Sequence, residues 1–332
     1  MTGFDAPALR PRPAEPAGPG QPGSAGSAGP GSTGSAGAAA RCAPASERRG
    51  EQLPGTARPG SRWLLIEHPG PWGFDIPHDS RLPRSVAGAL ASQAARARVR
   101  LLFIRRPGPP ADPGPSRRWA YIDARPGREG SWWGSWTNPE TLLELPTHGP
   151  PDGPRTLRPA YIVCVNGRRD PCCAMRGRPV AAALAAAHPD RTWECSHLGG
   201  DRFAANLVIL PGGWNFGRLT PATARTVAAA HDRGHLELPW LRGRTSLPPV
   251  VQAAQHYARL ALAETRVDGL PARAATALDA HTWRVRLGRP GRDQDVWVDI
   301  RTGHTAPDRL GCRRPGLEVA PTYDLLDIQH RG

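Results

Sequence analysis

Lysine is missing from this chain: all 43 basic residues are arginine, set against 29 acids, for a formal net charge of +14. Aromatic residues make up only 6% and hydrophobic residues 39% of the 332 positions, which argues against one large core running end to end. No apolar run approaches the ~20 residues a membrane-spanning helix needs; the longest, such as Val180–Ala187, are short and alanine-rich. The opening Met1–Arg10 lacks the apolar region of a secretory signal, so the expected compartment is the cytoplasm. No G-x-G-x-x-G follows a predicted strand and no Walker loop is present, so no nucleotide cofactor is expected. Helix-turn-helix, RNP-type aromatic and Cys/His finger motifs are also missing. Nucleic acid is therefore not an expected partner, and GC-rich coding accounts for arginine rising together with alanine, glycine and proline. The basic balance still suits docking against an acidic protein face.

What the chain does have is 38 glycines and 39 prolines. They crowd residues 1–60, which carry almost no large apolar side chains and are expected to be a disordered tail. Structure is predicted to begin at Trp63–Glu67, a strand ended by the turn-rich His68–Gly73. A helix over Arg84–Arg96, with Val86, Leu90 and Ala94 on one face, follows from helical periodicity. Strands are predicted at Val99–Ile104 and near Trp119–Ile122, and Asn138-Pro139-Glu140 opens a short helix. These make an N-terminal αβ unit over 61–150, including a tryptophan-rich loop at Ser131–Trp136. The loop is read as local packing, with a substrate pocket as its alternative.

A Pro/Gly-rich linker, His148–Pro159, leads to a second unit over 156–235. It reads strand (Tyr161–Val165), helix (Arg178–Ala187), strand (Thr192–His197), strand (Asn206–Leu210), strand (Trp214–Leu219), helix (Pro221–Asp232). That order is expected of a thioredoxin-like α/β layer. Residues 236–332 add a helix at Pro249–Thr265 and a hairpin. The hairpin alternates at Trp283/Val285/Leu287 and Val296/Val298/Ile300, as half-buried strands do. No internal repeat is evident in the sequence.

Of the six cysteines, Cys42 and Cys312 lie far from the rest and are not expected to share a site. Cys164, Cys172, Cys173 and Cys195 fall close together in the second unit, and such clustering points to metal or redox chemistry. Cys164 ends a strand, and Asp170-Pro171 leads to Cys172-Cys173 where a helix begins. The next strand carries Cys195 and His197, followed by Gly199-Gly200-Asp201, where glycine lets backbone crowd close to a bound group. The residues alone favour Zn²⁺, since two cysteines, a histidine and an aspartate or third cysteine make a sound tetrahedral set.

The stretches CVNGRRDPCCAMRGRPVAAAL and WECSHLGGDRFAANLVILPGGWNFGRL resemble the sucrase/ferredoxin-like family, whose core is similar to thioredoxin-like [2Fe–2S] ferredoxins. RWLLIEHPGPWG (Arg62–Gly73) and LRGRTSLPPVVQAA (Leu241–Ala254) extend the resemblance over about residues 60–265. The resemblance implies a [2Fe–2S] cluster on Cys164, Cys173 and His197, the last matching the first histidine of the H-x-G-G-H found in fungal members. The final position departs, being Asp201; Cys195 is the rival fourth ligand, because residues i and i+2 of a strand share a face. Cys172 is then a neighbour and not a ligand. The function implied is electron transfer or redox sensing with protein donors and acceptors. The alternative is a zinc-stabilised, arginine-rich interaction module. Sucrase activity is not expected, because no pair of carboxylates is marked out for glycoside hydrolysis.

Overall fold

The computed structural model describes residues 41–108 and 115–331; the disorder expected of residues 1–40 lies outside the described residues. Among the described residues, β-rich runs punctuated by proline and glycine form thirteen strands, and five α-helices complete a mixed α+β fold. The first half contains β1 (Arg62–Glu67), α2 (Arg84–Arg96), β2 (Arg100–Arg105), β3 (Arg117–Asp123) and β4 (Gly130–Trp136). The second contains β5 (Ala160–Cys164), α3 (Pro171–Ala187), β6 (Thr192–Cys195), β7 (Leu207–Leu210), β8 (Trp214–Phe216), α4 (Pro221–Asp232) and β9 (Leu241–Arg244).

All nine strands join one sheet in the order β4-β3-β1-β2-β6-β5-β7-β8-β9. In each half, a strand–helix–strand unit makes a parallel pair (β1 with β2, β5 with β6). Two antiparallel strands then extend the far side of its first strand. The fold therefore repeats although the sequence shows no repeat, because the shared quantity is topology and not residue identity. The halves meet edge to edge where β2 runs antiparallel to β6, pairing Ile104 with Cys195 and Arg105 with Glu194. The succession β5-α3-β6-β7-β8-α4 is the layer expected from the second unit's sequence.

Alternation along the strands divides the core. Leu64, Ile66, Phe103, Tyr161, Val163, Leu207 and Ile209 face the helices, packing against Val86 and Leu90 of α2, Val180 and Leu184 of α3 and Val227 of α4. The opposite face buries Trp63, Leu65, Ile104, Ile162, Trp193 and Val208, together with Cys164 and Cys195. The tryptophan-rich segment is strand β4 and not a loop: Trp136 is buried in the core, whereas Trp133 stacks on Trp193 with ring centroids 5.6 Å apart.

The C-terminal hairpin is larger than expected. β10 (Ala272–Ala277), β11 (Thr282–Leu287), β12 (Asp295–His304) and β13 (Pro321–Arg331) form an antiparallel meander. Helix α5 (Pro249–Leu262) covers it, setting Val250, Val251, Ala254 and Ala258 against Val285, Leu287, Val296, Val298 and Ile300. No helix among the described residues is long and apolar enough to cross a membrane.

Residues 41–60 correct the expectation of a tail reaching residue 60. Helix α1 spans Cys42–Arg48, and Cys42, Ala43, Ser46, Leu53 and Ala57 are buried. Their anchors are remote in sequence: Gln252 Nε2 donates to the Ala57 carbonyl (3.0 Å), Gly55 N–H to that of Arg242 (3.0 Å), and Arg202 pairs with Glu51 (2.5 Å). Small side chains bury well when partners approach, and composition alone does not reveal those partners.

Candidate metal centre

The strand ends at the seam between the halves carry the predicted ligands. Cys164 closes β5 opposite Cys195, which closes β6, in parallel register, so both thiols lie on the same face. Gly177 lets α3 lie against this point: a β-carbon there would overlap the carbonyl of Cys164. Asp170 caps α3 by accepting the Cys172 N–H (2.8 Å), and its first turn presents Cys173 to Cys164 and Cys195.

Beyond Cys195 the chain turns through Gly199 and Gly200, both at positive φ (83° and 78°), and brings His197 and Asp201 to the same place. The Cys173 thiol donates to Asp201 Oδ1 at 3.2 Å, and His197 Nδ1 lies 3.5 Å from that oxygen. Despite this proximity, His197 Nδ1 is a buried polar atom with no hydrogen-bond partner. Cys164, Cys173, Cys195, His197 and Asp201 are thus gathered at one locus. Hydrogen bonds from Cys173, Cys195 and His197 hold the Cys164 thiol well below its usual range. The bond to Cys164 pushes Cys173 up, and burial pushes up Cys195 and the Asp201 carboxyl.

Two arginines that sequence reasoning missed brace this turn. Arg242, on β9, is 1% exposed and donates to Gly199 O (3.1 Å), Asn206 Oδ1 (2.7 Å), Asn215 Oδ1 (3.3 Å) and Thr56 Oγ1 (3.1 Å). Its guanidinium lies where a side chain on residue 200 would go, so glycine is required there. Arg100, on β2, donates to the carbonyls of His197 and Leu198. Burial lowers both guanidiniums to about 9, which leaves them charged at neutral pH. No local motif marks either arginine, because each acts across the sheet on a loop far away in sequence. In front of His197 opens a cavity of about 550 Å³ whose lining includes Arg58, Arg98, Arg100 and Arg169, with Asp75 the acid among them.

The remaining cysteines form a second group, contrary to the expectation that Cys42 and Cys312 stand apart. Cys42, Asp170, Cys172 and Cys312 are, among the described residues, the one set of such side chains whose donor atoms all lie within 4.8 Å of one another, and they could hold a metal ion. Cys172 belongs to this group and packs with Cys42 and Cys312. Sequence separation hid the arrangement, although three sulfurs left without a role were its available signal.

No curated protein and no solved structure matches this chain. Residues 53–243, more than half of it and including the Cys164–Asp201 segment, match the family described as sucrase/ferredoxin-like, and the chain belongs to that family.

Proposed function

We propose that this protein transfers electrons or senses redox state through a [2Fe–2S] cluster held by Cys164, Cys173, His197 and Asp201, with Cys195 the alternative to Asp201. The observation that carries the reading is the gathering of Cys164, Cys173, His197 and Asp201 at one buried point, with the Cys173 thiol 3.2 Å and His197 Nδ1 3.5 Å from Asp201 Oδ1.

When bound, the cluster supplies a one-electron couple. The chain's own contribution is electrostatic and steric. Arg100 and Arg242 place two positive charges behind the His197–Asp201 turn, favouring an anionic group there. Cys164, Cys173 and Cys195 are at most 1% exposed, which keeps water from the sulfurs. The arginine-lined cavity gives an acidic partner protein a place to approach the half-buried His197 edge. Complementary charge of this kind raises encounter rates and falls with salt.

The test is the absorption spectrum and iron content of protein purified without oxygen. Two irons per chain and a visible band that bleaches with dithionite are expected. Colourless protein without iron, after cluster reconstitution has also been tried, overturns the reading.

A further inference from the structure

The second sulfur group draws its members from three remote parts of the chain: Cys42 from α1, Asp170 and Cys172 from the start of α3, and Cys312 from the loop before β13. Cys42 Sγ lies 3.4 Å from Cys312 Sγ and 3.6 Å from each Asp170 oxygen, and Cys172 Sγ lies 3.6 Å from Cys312 Sγ. A tetrahedral ion with metal–sulfur bonds of ~2.3 Å sets its ligands about 3.8 Å apart along each edge. The three sulfurs and the carboxylate already stand close to those edges. A disulfide instead needs sulfurs ~2.05 Å apart, and all three thiols are free. An odd number of thiols also cannot be exhausted by pairing.

We propose that Cys42, Asp170, Cys172 and Cys312 bind a single Zn²⁺-class ion as a structural site, separate from the Cys164 centre. Cys42, Asp170 and Cys172 are at most 2% exposed and Cys312 is half-buried, and the four protein ligands fill a tetrahedral set, as in structural zinc sites. Asp170 accepts the backbone N–H groups of Cys172 (2.8 Å) and Cys312 (2.6 Å), one on each oxygen. A carboxylate has about four acceptor positions, so capacity remains for the ion. Binding is not a redox step: each Cys S–H proton goes to solvent as its sulfur forms a bond to the metal. Three thiolates and a carboxylate outweigh the ion's charge, and Arg176 on α3 is near enough to Cys172 and Cys42 to offset part of the excess. Cys42 and Cys312 lie outside residues 53–243, so half of the ligands come from beyond the span that marks the family. The ion fastens α1 and the segment before β13 to the first turn of α3.

Elemental analysis of the full chain, purified without oxygen, tests this against the cluster directly. Wild type is expected to hold one zinc per chain in addition to any iron. Cys312→Ser should lose the zinc and keep the visible absorption; Cys164→Ser should lose the absorption and keep the zinc. Should Cys312→Ser fail to fold, Co²⁺ added to chelator-treated Cys164→Ser provides the second measurement. Tetrahedral d–d bands with thiolate charge transfer are then expected. Zinc retained by Cys312→Ser, zinc lost from Cys164→Ser, or absence of both zinc from wild type and cobalt bands from Cys164→Ser overturns the proposal. So does a Cys42–Cys312 disulfide found by non-reducing peptide mass spectrometry in the anaerobic protein.

Discussion

Cys172 and Cys173 are consecutive residues in the first turn of α3, yet they face different sulfur groups, Cys172 toward Cys42 and Cys312 and Cys173 toward Cys164 and Cys195. A helix rotates about 100° per residue, so adjacent positions serve opposite sides of one turn. The separation predicts opposite phenotypes for two neighbouring substitutions. Cys173→Ser should abolish the visible absorption and leave zinc in place, whereas Cys172→Ser should do the reverse. Parallel iron, zinc and absorption measurements check it, and loss of both metals in both variants would show that the groups are one unit.

Asp201 and Cys195 can be separated in the same way. Asp201 lies against Cys173 and His197, whereas Cys195 lies against Cys164. Asp201→Ala is expected to make the oxidised cluster labile, losing most of its iron during gel filtration, and Cys195→Ala to keep it. The opposite result assigns the fourth position to Cys195 and leaves Asp201 as a hydrogen-bond partner.

Acid should destabilise the fold through its buried histidines. His68 is 4% exposed, and burial, aided by Arg117 and Arg81, lowers its pKa from 6.5 to about 4. His231 and His256 are lowered to about 4 as well, chiefly by burial. The unfolded chain therefore binds more protons between pH 6.5 and 4. Stability is fully present above about 6.5 and falls as the pH drops toward 4, by up to about 3 kcal/mol for His68. His68→Asn, which keeps an acceptor for the Gly70 N–H, should flatten that limb in urea titrations at pH 7 and 4.5.

Removing Arg242 should cost more than a surface arginine. Arg242→Ala strands Gly199 O, Asn206 Oδ1 and Asn215 Oδ1 without their donor. At about 1–3 kcal/mol for each buried group left unpaired, a loss of at least about 3 kcal/mol is expected. A lower urea midpoint at unchanged slope would report it.

Truncation distinguishes the two parts of the N-terminal segment. Deleting residues 1–60 removes Cys42, Leu53 and Ala57 from the interior and the Thr56 contacts from Arg242. It should lower the melting temperature by several degrees and abolish zinc binding. Deleting residues 1–40 should do neither.

Much of the fold was legible because it is locally encoded. Val86, Leu90 and Ala94 give α2 its period, and the helix spans the predicted Arg84–Arg96. α4 likewise runs over the predicted Pro221–Asp232, with Thr220 as its cap. β4, β10 and β13 were missed because GSWWGSW, ARAATA and PTYDLLDIQHR have glycine, alanine or acids where strand formers are looked for, and neighbouring strands supply the pairing. At the site, Cys164 through Asp201 could be read as two loops of one neighbourhood. The Cys42 group could not, because Cys42 and Cys312 are 270 positions apart and meet only in the tertiary structure. Arg100 and Arg242 were hidden for the same reason.

The β2–β6 joint has a practical consequence for anyone seeking a minimal fragment around Cys164. Two ladder pairs close it, and one of them is Ile104 with Cys195. Around that point, Ser196 N–H donates to Phe103 O (2.9 Å) and Phe103 N–H to Ser196 Oγ (3.1 Å). Cutting the chain at the linker would leave β6 an open edge, free to pair with other chains. It would also strip Arg100 from the turn that carries His197. The strands β1–β4 are thus the retaining wall of the half that holds Cys164 and His197, and a fragment trimmed to those ligands alone should aggregate.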